Sequence, residues 1–518
     1  MATFNFNSSI PVSEGFTFGP RVGSVSFQRE DGTVLPEIKT PGLITTTSRG
    51  VVPHLSRDHT IKTKAVRWVQ LPFESFLDQN PPIPTLQGGP HSLHKFLGYK
   101  IDQHLLSLCA RDPADGREMP ANGKDHVSAN CIRGVRKISP VQWTSYIRAC
   151  KPDVVTALSD TPFTSFPYSQ KRIMKSLERS TAWLAQLLRS DAFRTTVLVH
   201  MAGAHDERAR RVFAESLVER LYGKDLELIK PLRTLDEGLS GYIFDLVPLR
   251  TALAAYPQPH SVIPELVKTS LLPLPPRKIR LVHSPASPHE ILRLIKDVGI
   301  DLFDAPFAQR AADLGIALDF RFPVSTAPPS TNQPCPPSER DHGKRDIGHN
   351  IFSPVYAHDH SRLASLFLDA ASVHGLPDDH ADRRHVCLCA ACSPVTPDRC
   401  IKHSTLDAFD PRDAPKPNLP YTRAYVHHLL HTHEMSSHTL LAMHNLTVMD
   451  QFFSDIRAFL ADPDGQSRFC AEVERFHEVY DDRLSILDEA RAMWAKVERE
   501  RGKGRLARER SVGELDVQ

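Results

Sequence analysis

Residues 387–400, CLCAACSPVTPDRC, hold four of the chain's nine cysteines within fourteen positions. Three of them, Cys387, Cys389 and Cys392, follow the spacing C-x-C-x-x-C. Thiols this close in a reduced protein suit a metal ion, and zinc takes such donors as a tetrahedron of thiolate and imidazole. One tight turn supplies three ligands, so the fourth comes from elsewhere. Cys400 follows Cys392 by eight residues, His403 lies just beyond, and the stretch after Pro420 carries His427, His428, His431, His433, His438 and His444. Spacing alone leaves these open, with Cys400 a fair competitor. The donor types predict one structural zinc ion (Zn2+) per chain.

The rest of the sequence must hold that turn in place. A chain of 518 residues, 41% hydrophobic, can bury a large core. Lys+Arg (63) and Asp+Glu (61) nearly cancel, leaving a net charge of +2, so any binding to nucleic acid, membranes or acidic ligands must be local. No stretch approaches the roughly 18 apolar residues of a membrane span, and MATFNFNSSIPVSEGF has no basic segment leading into an apolar run. No membrane span and a cytoplasmic location are therefore expected. In that reducing setting an odd number of cysteines argues against a disulfide framework.

Short β-branched runs alternate with amphipathic helical patterns through the middle of the chain. DVVTALSD (153–160), TTVLVHM (195–201), GYIFDLV (241–247), KIRLVHS (278–284) and GIDLFDA (299–305) read as strands buried on both faces. Between them, a pattern with Ile173, Leu177, Leu184 and Leu188 on one face and the stretch 206–223 read as helices. Another helix is signalled by Ser287 as its cap, Pro288 in its first position and Glu290 as capping-box partner. Repeated units of this kind, with no G-x-G-x-x-G after any strand, favour an α/β fold of the (β/α)8 type over a dinucleotide fold.

The division expected is a β-rich part over 1–110, the barrel over 111–386 with a Pro-rich insertion near 321–345, a zinc-binding helical subdomain over 387–465, and a helical, basic tail over 466–518. Within the subdomain, residues 393–420 carry six prolines and read as a loop. After Pro420 about forty residues turn helical, with Leu429, Leu440, Leu441, Met443, Leu446, Met449, Phe452, Phe453 and Ile456 forming an apolar stripe bordered by histidines. That stripe is expected to meet a partner protein. The arginines beyond residue 497 read as a solvated helix end.

CLCAAC, followed by TRAYVHHLLHTHEMSSHTLLAMHNLTVMDQFFSDIRAFL, closely resembles the zinc-binding C-terminal part of the tRNA-guanine transglycosylases. Segments 138–160, 238–249 and 280–310 follow the same family's order, and GPRVGSVSFQREDGTVLPEIKTPGLITTTSRGVVPHLSRD (19–58) is similar to its eukaryotic accessory branch. The resemblance implies a (β/α)8 TIM-type barrel with a C-terminal zinc-binding helical subdomain. It assigns the fourth ligand to His444 of the H-N pair, beside Cys387, Cys389 and Cys392. The 52 residues from Cys392 to His444 are accommodated if the Pro-rich loop is looped out, which leaves His427 and His428 packed or hydrogen-bonded.

The family's reaction replaces guanine at the tRNA wobble position through a covalent link between an Asp carboxylate and ribose C1. It needs a nucleophile, a second carboxylate as acid/base and polar groups that read the purine. The resemblance places the nucleophile position at Asp304. Its surroundings depart from the family: the T-D-S-G-G-F-Q segment has no counterpart between residues 55 and 110, and Asp160 stands one residue past the base-reading position. In the purine-facing turn, Tyr242 and Ile243 replace Gly and a carboxylate, and of P-T-R only Arg310 remains, behind Ala308 and Gln309. These departures imply an accessory subunit with no catalytic residue, Asp304 being a relic or a strand-end acceptor. Such a subunit forms a heterodimer with a catalytic queuine tRNA-ribosyltransferase subunit and binds tRNA, with Arg310 as a nucleic-acid contact, in queuosine biosynthesis. Its relatives are cytoplasmic and can associate with the mitochondrial outer face. The enzyme alternative is an active transglycosylase using Asp304.

Overall fold

Five-residue runs such as Trp68–Pro72 and Leu105–Cys109 are buried along their whole length, as strands covered on both faces must be. The computed structural model describes residues 2–8, 18–161, 166–189, 195–254, 256, 259–324, 337–340, 342–364, 387, 389–393 and 420–502. It divides into two units, Met1–Phe307 with Met449–Glu474, and Ala308–Val448 with Arg475–Gln518.

In the first unit, β1 (Thr3–Ser8), β2 (Gly23–Gln28) and β3 (Ile38–Thr40) form an antiparallel sheet. The chain then runs through β4 (Gly42–Thr46), β5 (Trp68–Pro72), β6 (Leu105–Cys109), an antiparallel hairpin of β7 (Val127–Cys131) and β8 (Gly134–Ile138), β9 (Val154–Thr156), β10 (Thr196–His200), β11 (Gly241–Asp245), β12 (Ile279–His283) and β13 (Leu302–Asp304). Leaving the hairpin aside, strands β4 to β13 pair in parallel in sequence order, and β13 returns to β4 to close an eight-stranded barrel. This is the TIM-type barrel expected. Three of its strands precede residue 110, so the stretch read as a lead-in is already barrel. Its intervening helices, Arg57–Lys62 and Ser92–Leu97, are too short to show a helical period in sequence.

Side chains alternate along each strand, and those turned inward change character from one end to the other. Trp68, Leu105, Val154, Leu198, Ile243, Ile279 and Leu302 join Val25, Phe27, Leu35 and Ile38 of the small sheet in one apolar cluster, which closes the N-terminal end. Buried ion pairs brace that end. Arg21 Nε donates to Asp301 Oδ1 at 2.7 Å, and Arg29 donates to both oxygens of Asp153 at 2.7 and 2.8 Å. On the barrel's outer side, Ser287 Oγ accepts from the Glu290 amide and so caps the helix Pro288–Val298 as expected. The reciprocal half of the box differs, since the Glu290 carboxylate takes the Ala286 amide instead.

In the second unit, β14 (Ile316–Leu318) pairs antiparallel with β15 (Gly348–Asn350). Phe320, Phe476 and Tyr480 pack edge to face nearby, and the Arg345 amide donates to Val479 O at 2.8 Å. The run after Pro420 is two helices, Arg423–His431 and Ser436–Ala461, because His433 takes a left-handed backbone (φ 61°) between them. The residues named for the apolar stripe are all buried within the chain. The stripe is therefore core and not a partner surface, which corrects the reading from sequence.

Asp153 also accepts the Leu106 amide, so its removal strands both a buried guanidinium and a strand amide. Asp153→Ala is expected to cost about 3–5 kcal/mol in urea unfolding, as loss of one partner of a buried ion pair does.

Candidate functional site

The H-N pair of the helix Ser436–Ala461 is fastened to strand β14 by its own side chains. Asn445 Oδ1 accepts the Leu318 amide at 2.9 Å, and its Nδ2 donates to Ile316 O at 2.9 Å. Next to it, His444 Nε2 lies 2.9 Å from Leu318 O. A carbonyl can only accept, so Nε2 carries the proton and Nδ1 keeps its lone pair. That lone pair meets three sulfurs, Cys387 Sγ at 3.6 Å, Cys389 Sγ at 3.4 Å and Cys392 Sγ at 3.7 Å. All four donors are buried, lie within 4.8 Å of one another and can hold a metal ion. The cysteine turn is tightened by the Ser393 amide on Cys389 O and the Ser393 hydroxyl on Cys387 O, both at 2.9 Å.

Burial pushes the Cys387 thiol well up and raises Cys389 too, while hydrogen bonds from those two sulfurs hold Cys392 well below the ordinary thiol range. Two of the sulfurs are thus held as thiols and one as a thiolate, so a cation bound among them has to displace the remaining thiol protons. Three of the other histidines are engaged elsewhere: His427 Nδ1 with Ile351 O at 2.7 Å, His431 Nε2 with Phe352 O at 3.1 Å and His438 Nδ1 with Ala312 O at 3.0 Å. Cys400 and His403 lie outside the described residues. The neighbouring T-R-A-Y run is structural. Thr422 Oγ1 caps the helix by accepting the Tyr425 amide, and the fully buried Arg423 donates to Asp359 Oδ2 at 3.0 Å.

The barrel's C-terminal end gathers the polar inward residues. Asp304 ends β13 at 1% exposure, with Oδ1 accepting the Ser284 amide at 2.6 Å and Oδ2 facing His283 Nδ1 at 3.1 Å. The far side of that imidazole meets Gln70 Nε2 at 3.3 Å, and Gln70 reaches Cys109 Sγ at 3.3 Å. Burial alone would lower the His283 pKa, yet the hydrogen bond to Asp304 and the charges of Asp304, Asp245 and Asp112 raise it. A second pair, His200 Nδ1 and Asp245 Oδ2 at 3.0 Å, stands beside the first. Both strand-end carboxylates thus face an imidazole, but among the described residues Asp245 Oδ1 and His200 Nδ1 make no hydrogen bond.

A profile of the family described as queuine tRNA-ribosyltransferase matches residues 18–398 and 410–480. The chain belongs to the queuine tRNA-ribosyltransferase family. It is 26% identical over 471 residues to the queuine tRNA-ribosyltransferase accessory subunit 2 of Schizosaccharomyces pombe, covering 89% of this chain and 82% of that protein. The proteins of the same name from Aedes aegypti (24% over 451 residues, 85% and 86% covered) and Drosophila erecta (26% over 434 residues, 82% and 84%) are similar to it as well.

Several family positions lie elsewhere than the sequence suggested. Tyr242 points out of the barrel, donating to Asp236 Oδ1 at 2.6 Å, and Ile243 is in the apolar cluster at the barrel's base, so the residue that β11 brings to the mouth is Asp245. Asp160 does not reach the mouth. It is fully buried among Asn122, Arg172 and Arg179, at 2.7 to 3.0 Å. Arg310 is exposed on the helix Pro306–Asp313. Sequence reasoning missed Asp245, His283, Glu74 and Asp112. The first two were available from the two-residue period, since both lie two positions past inward Ile243 and Leu281. Glu74 and Asp112 follow strand ends and carry no such signal. Among the described residues no helix is long and apolar enough to cross a membrane.

Replacing His444 with Ala should abolish stoichiometric metal uptake and lower stability by several kcal/mol, whereas Cys400→Ser should leave both unchanged, as read by elemental analysis and thermal unfolding. Glu74 gives a pH test. Burial pushes its carboxyl up from 4.5 to about 7 while it accepts the Asp112 and Asn130 amides. Because the folded value is the higher one, its contribution is complete below about pH 4.5 and fades as pH rises through 7. Wild type should therefore lose stability relative to Glu74→Gln across that window, by up to about 3 kcal/mol.

Proposed function

We propose that this chain is the non-catalytic subunit of a heterodimeric queuine tRNA-ribosyltransferase, supporting exchange of guanine for queuine at the wobble position by binding tRNA and a catalytic subunit. The observation that carries this reading is the state of Asp304. A nucleophile must present an oxygen within about 3–3.5 Å of the atom it attacks. Asp304 is sealed at 1% exposure, with one oxygen on a backbone amide and the other on the His283 ring. The S. pombe and insect relatives carry the name accessory subunit, which supports the same reading.

Zinc is the metal that best fits the Cys387, Cys389, Cys392 and His444 donors. Ideal bonds of about 2.3 Å to sulfur and 2.0–2.1 Å to nitrogen, at tetrahedral angles, put sulfur and nitrogen about 3.6 Å apart. The three distances here, 3.4 to 3.7 Å, bracket that value. Three cysteines and one histidine fill all four positions with protein, so the ion would hold the turn to the helix without reacting. With the apolar stripe buried, the catalytic subunit would have to meet this lobe through what is exposed. Tyr421 and Tyr425, stacked at 5.6 Å, and Met435, at 82% exposure, are the side chains suited to that contact.

The test is reconstitution with the catalytic homologue and a guanine-exchange assay on tRNA, each subunit alone and both together. Asp304→Asn in this chain should leave turnover of the pair within a few fold of wild type, whereas loss of a working nucleophile costs orders of magnitude. A covalent tRNA adduct trapped on this chain would overturn the assignment and favour the active alternative.

A further inference from the structure

Residues 126–152 contain five lysines and arginines and no aspartate or glutamate, in a chain that elsewhere balances the two. This stretch forms the β7–β8 hairpin and the helix Pro140–Cys150. The hairpin is held from behind. Glu74 Oε2 accepts the Asn130 amide, Asn122 Oδ1 accepts the Ser128 amide at 2.9 Å, and Val127, Ala129 and Ile138 are buried. Its outer strand is open, since β8 pairs only with β7 among the described residues, and Gly134 to Lys137 are all exposed.

Arg133, Arg136 and Lys137 lie on that strand and its turn. Among the described residues no carboxylate comes within ion-pair distance of their side chains. Asp125 and Asp78 feel the charges of Lys137 and Arg133 but hydrogen-bond elsewhere, Asp125 with His126 at 3.0 Å and Asp78 with the Arg133 backbone amide at 3.1 Å. Cations on an edge strand also deter edge-to-edge aggregation, which would account for the hairpin alone. Yet the same character continues onto the helix Pro140–Cys150, where no edge needs protection. There an open groove of about 600 Å³ is lined, among the described residues, by Val141, Thr144, Ser145, Arg148, Gln186 and Arg189, which bring two guanidiniums, two hydroxyls and a carboxamide.

We propose that the β7–β8 hairpin and the outward face of the helix Pro140–Cys150 seat the phosphate backbone of an RNA strand. Arginine, lysine, hydroxyl and carboxamide donors are the groups that contact phosphate and sugar, and they position a nucleic acid without reading its sequence. A protein partner fits less well. Interface centres are depleted of charge and rich in aromatics, whereas here the exposed Ile132, Val135 and Val141 are interspersed with cations, Trp143 is buried and Tyr146 packs on Phe73 at 5.0 Å. The inference rests on the tRNA-binding role argued above and names the surface that performs it.

The experiment measures binding of fluorescently labelled, folded tRNA by anisotropy across a potassium chloride series, using the reconstituted pair and the catalytic subunit alone. The variants in this chain are the triple R133A/R136A/K137A, the double R148A/R189A, and R133K/R136K as a charge-preserving control. The triple should weaken binding roughly tenfold or more near 0.1 M salt and make the slope of log affinity against log salt shallower by about two to three. The double should lower the slope by about one to two, and the control should bind as wild type. If the wild-type pair has no steeper slope than the catalytic subunit alone, the tRNA role fails and this surface with it. A steep wild-type slope that both multiple variants retain, with melting temperature unchanged, would overturn this surface and leave the tRNA role standing. Loss of assembly with the catalytic subunit in RNA-free gel filtration would show that the face meets protein, which also overturns it.

Discussion

One hydrogen bond, from His444 Nε2 to the carbonyl of Leu318, decides which nitrogen of the ring is free to face the cysteines. Had the ring been protonated on the other side, an N–H would point at three sulfurs and the cluster could hold no cation. Asn445 repeats the attachment one residue later, taking the Leu318 amide and giving to Ile316 O, so strand and helix are registered by side chains as firmly as two strands are by backbone. The buried Arg423 works towards the same end, tying its helix to Asp359 and lying 3.8 Å from Asp319. Metal ligands need this kind of supporting shell to keep their orientation and basicity.

The barrel solves a different electrostatic problem. Its inward side chains are apolar at one end and ionisable at the other, and at the ionisable end Asp304 meets His283 while Asp245 meets His200. Burial shifts Asp304 upward, and despite its own burial His283 is shifted upward by Asp304, yet both Asp304 oxygens are spent, one on the Ser284 amide and one on the His283 ring. Glu74 is shifted upward as well, and both its oxygens are spent on the Asp112 and Asn130 amides, which fix a turn and the hairpin.

The metal cluster was legible because few residue types bind metal and their spacing survives any fold. Strands β9 to β13 were legible because they are continuous apolar runs of the length a buried strand needs. β4 and β6 obey the same rule, but short turns and six-residue helices around them hide the alternation of β and α. The break at His433 could not be read, since the helical period continues across it and only the backbone angle reports the turn. The apolar stripe was read correctly as apolar and wrongly as exposed, because sequence shows which face of a helix is greasy and not whether something already covers it. At the mouth, Asp160 illustrates a further limit. Its type suits base reading, but two arginines of the next helix, 12 and 19 residues further on, claim it.

Closure of the barrel joins β4, which begins at Gly42, to β13, which begins at Leu302, and the Arg21–Asp301 bond crosses the same seam. The two edges are made far apart in time. At about 5–20 residues per second, a ribosome needs roughly 13–50 s to synthesise the chain between them. Through that interval β4 is an unpaired edge, and Ile44, Trp68 and Leu105, fully buried in the finished chain, lack the strands that will cover them. The cysteine turn and His444 emerge later still, so the cation-binding cluster cannot help until the barrel has already survived its most exposed stage. The nascent chain's vulnerability is thus set by the ring topology, and it ends only when the last strand is delivered.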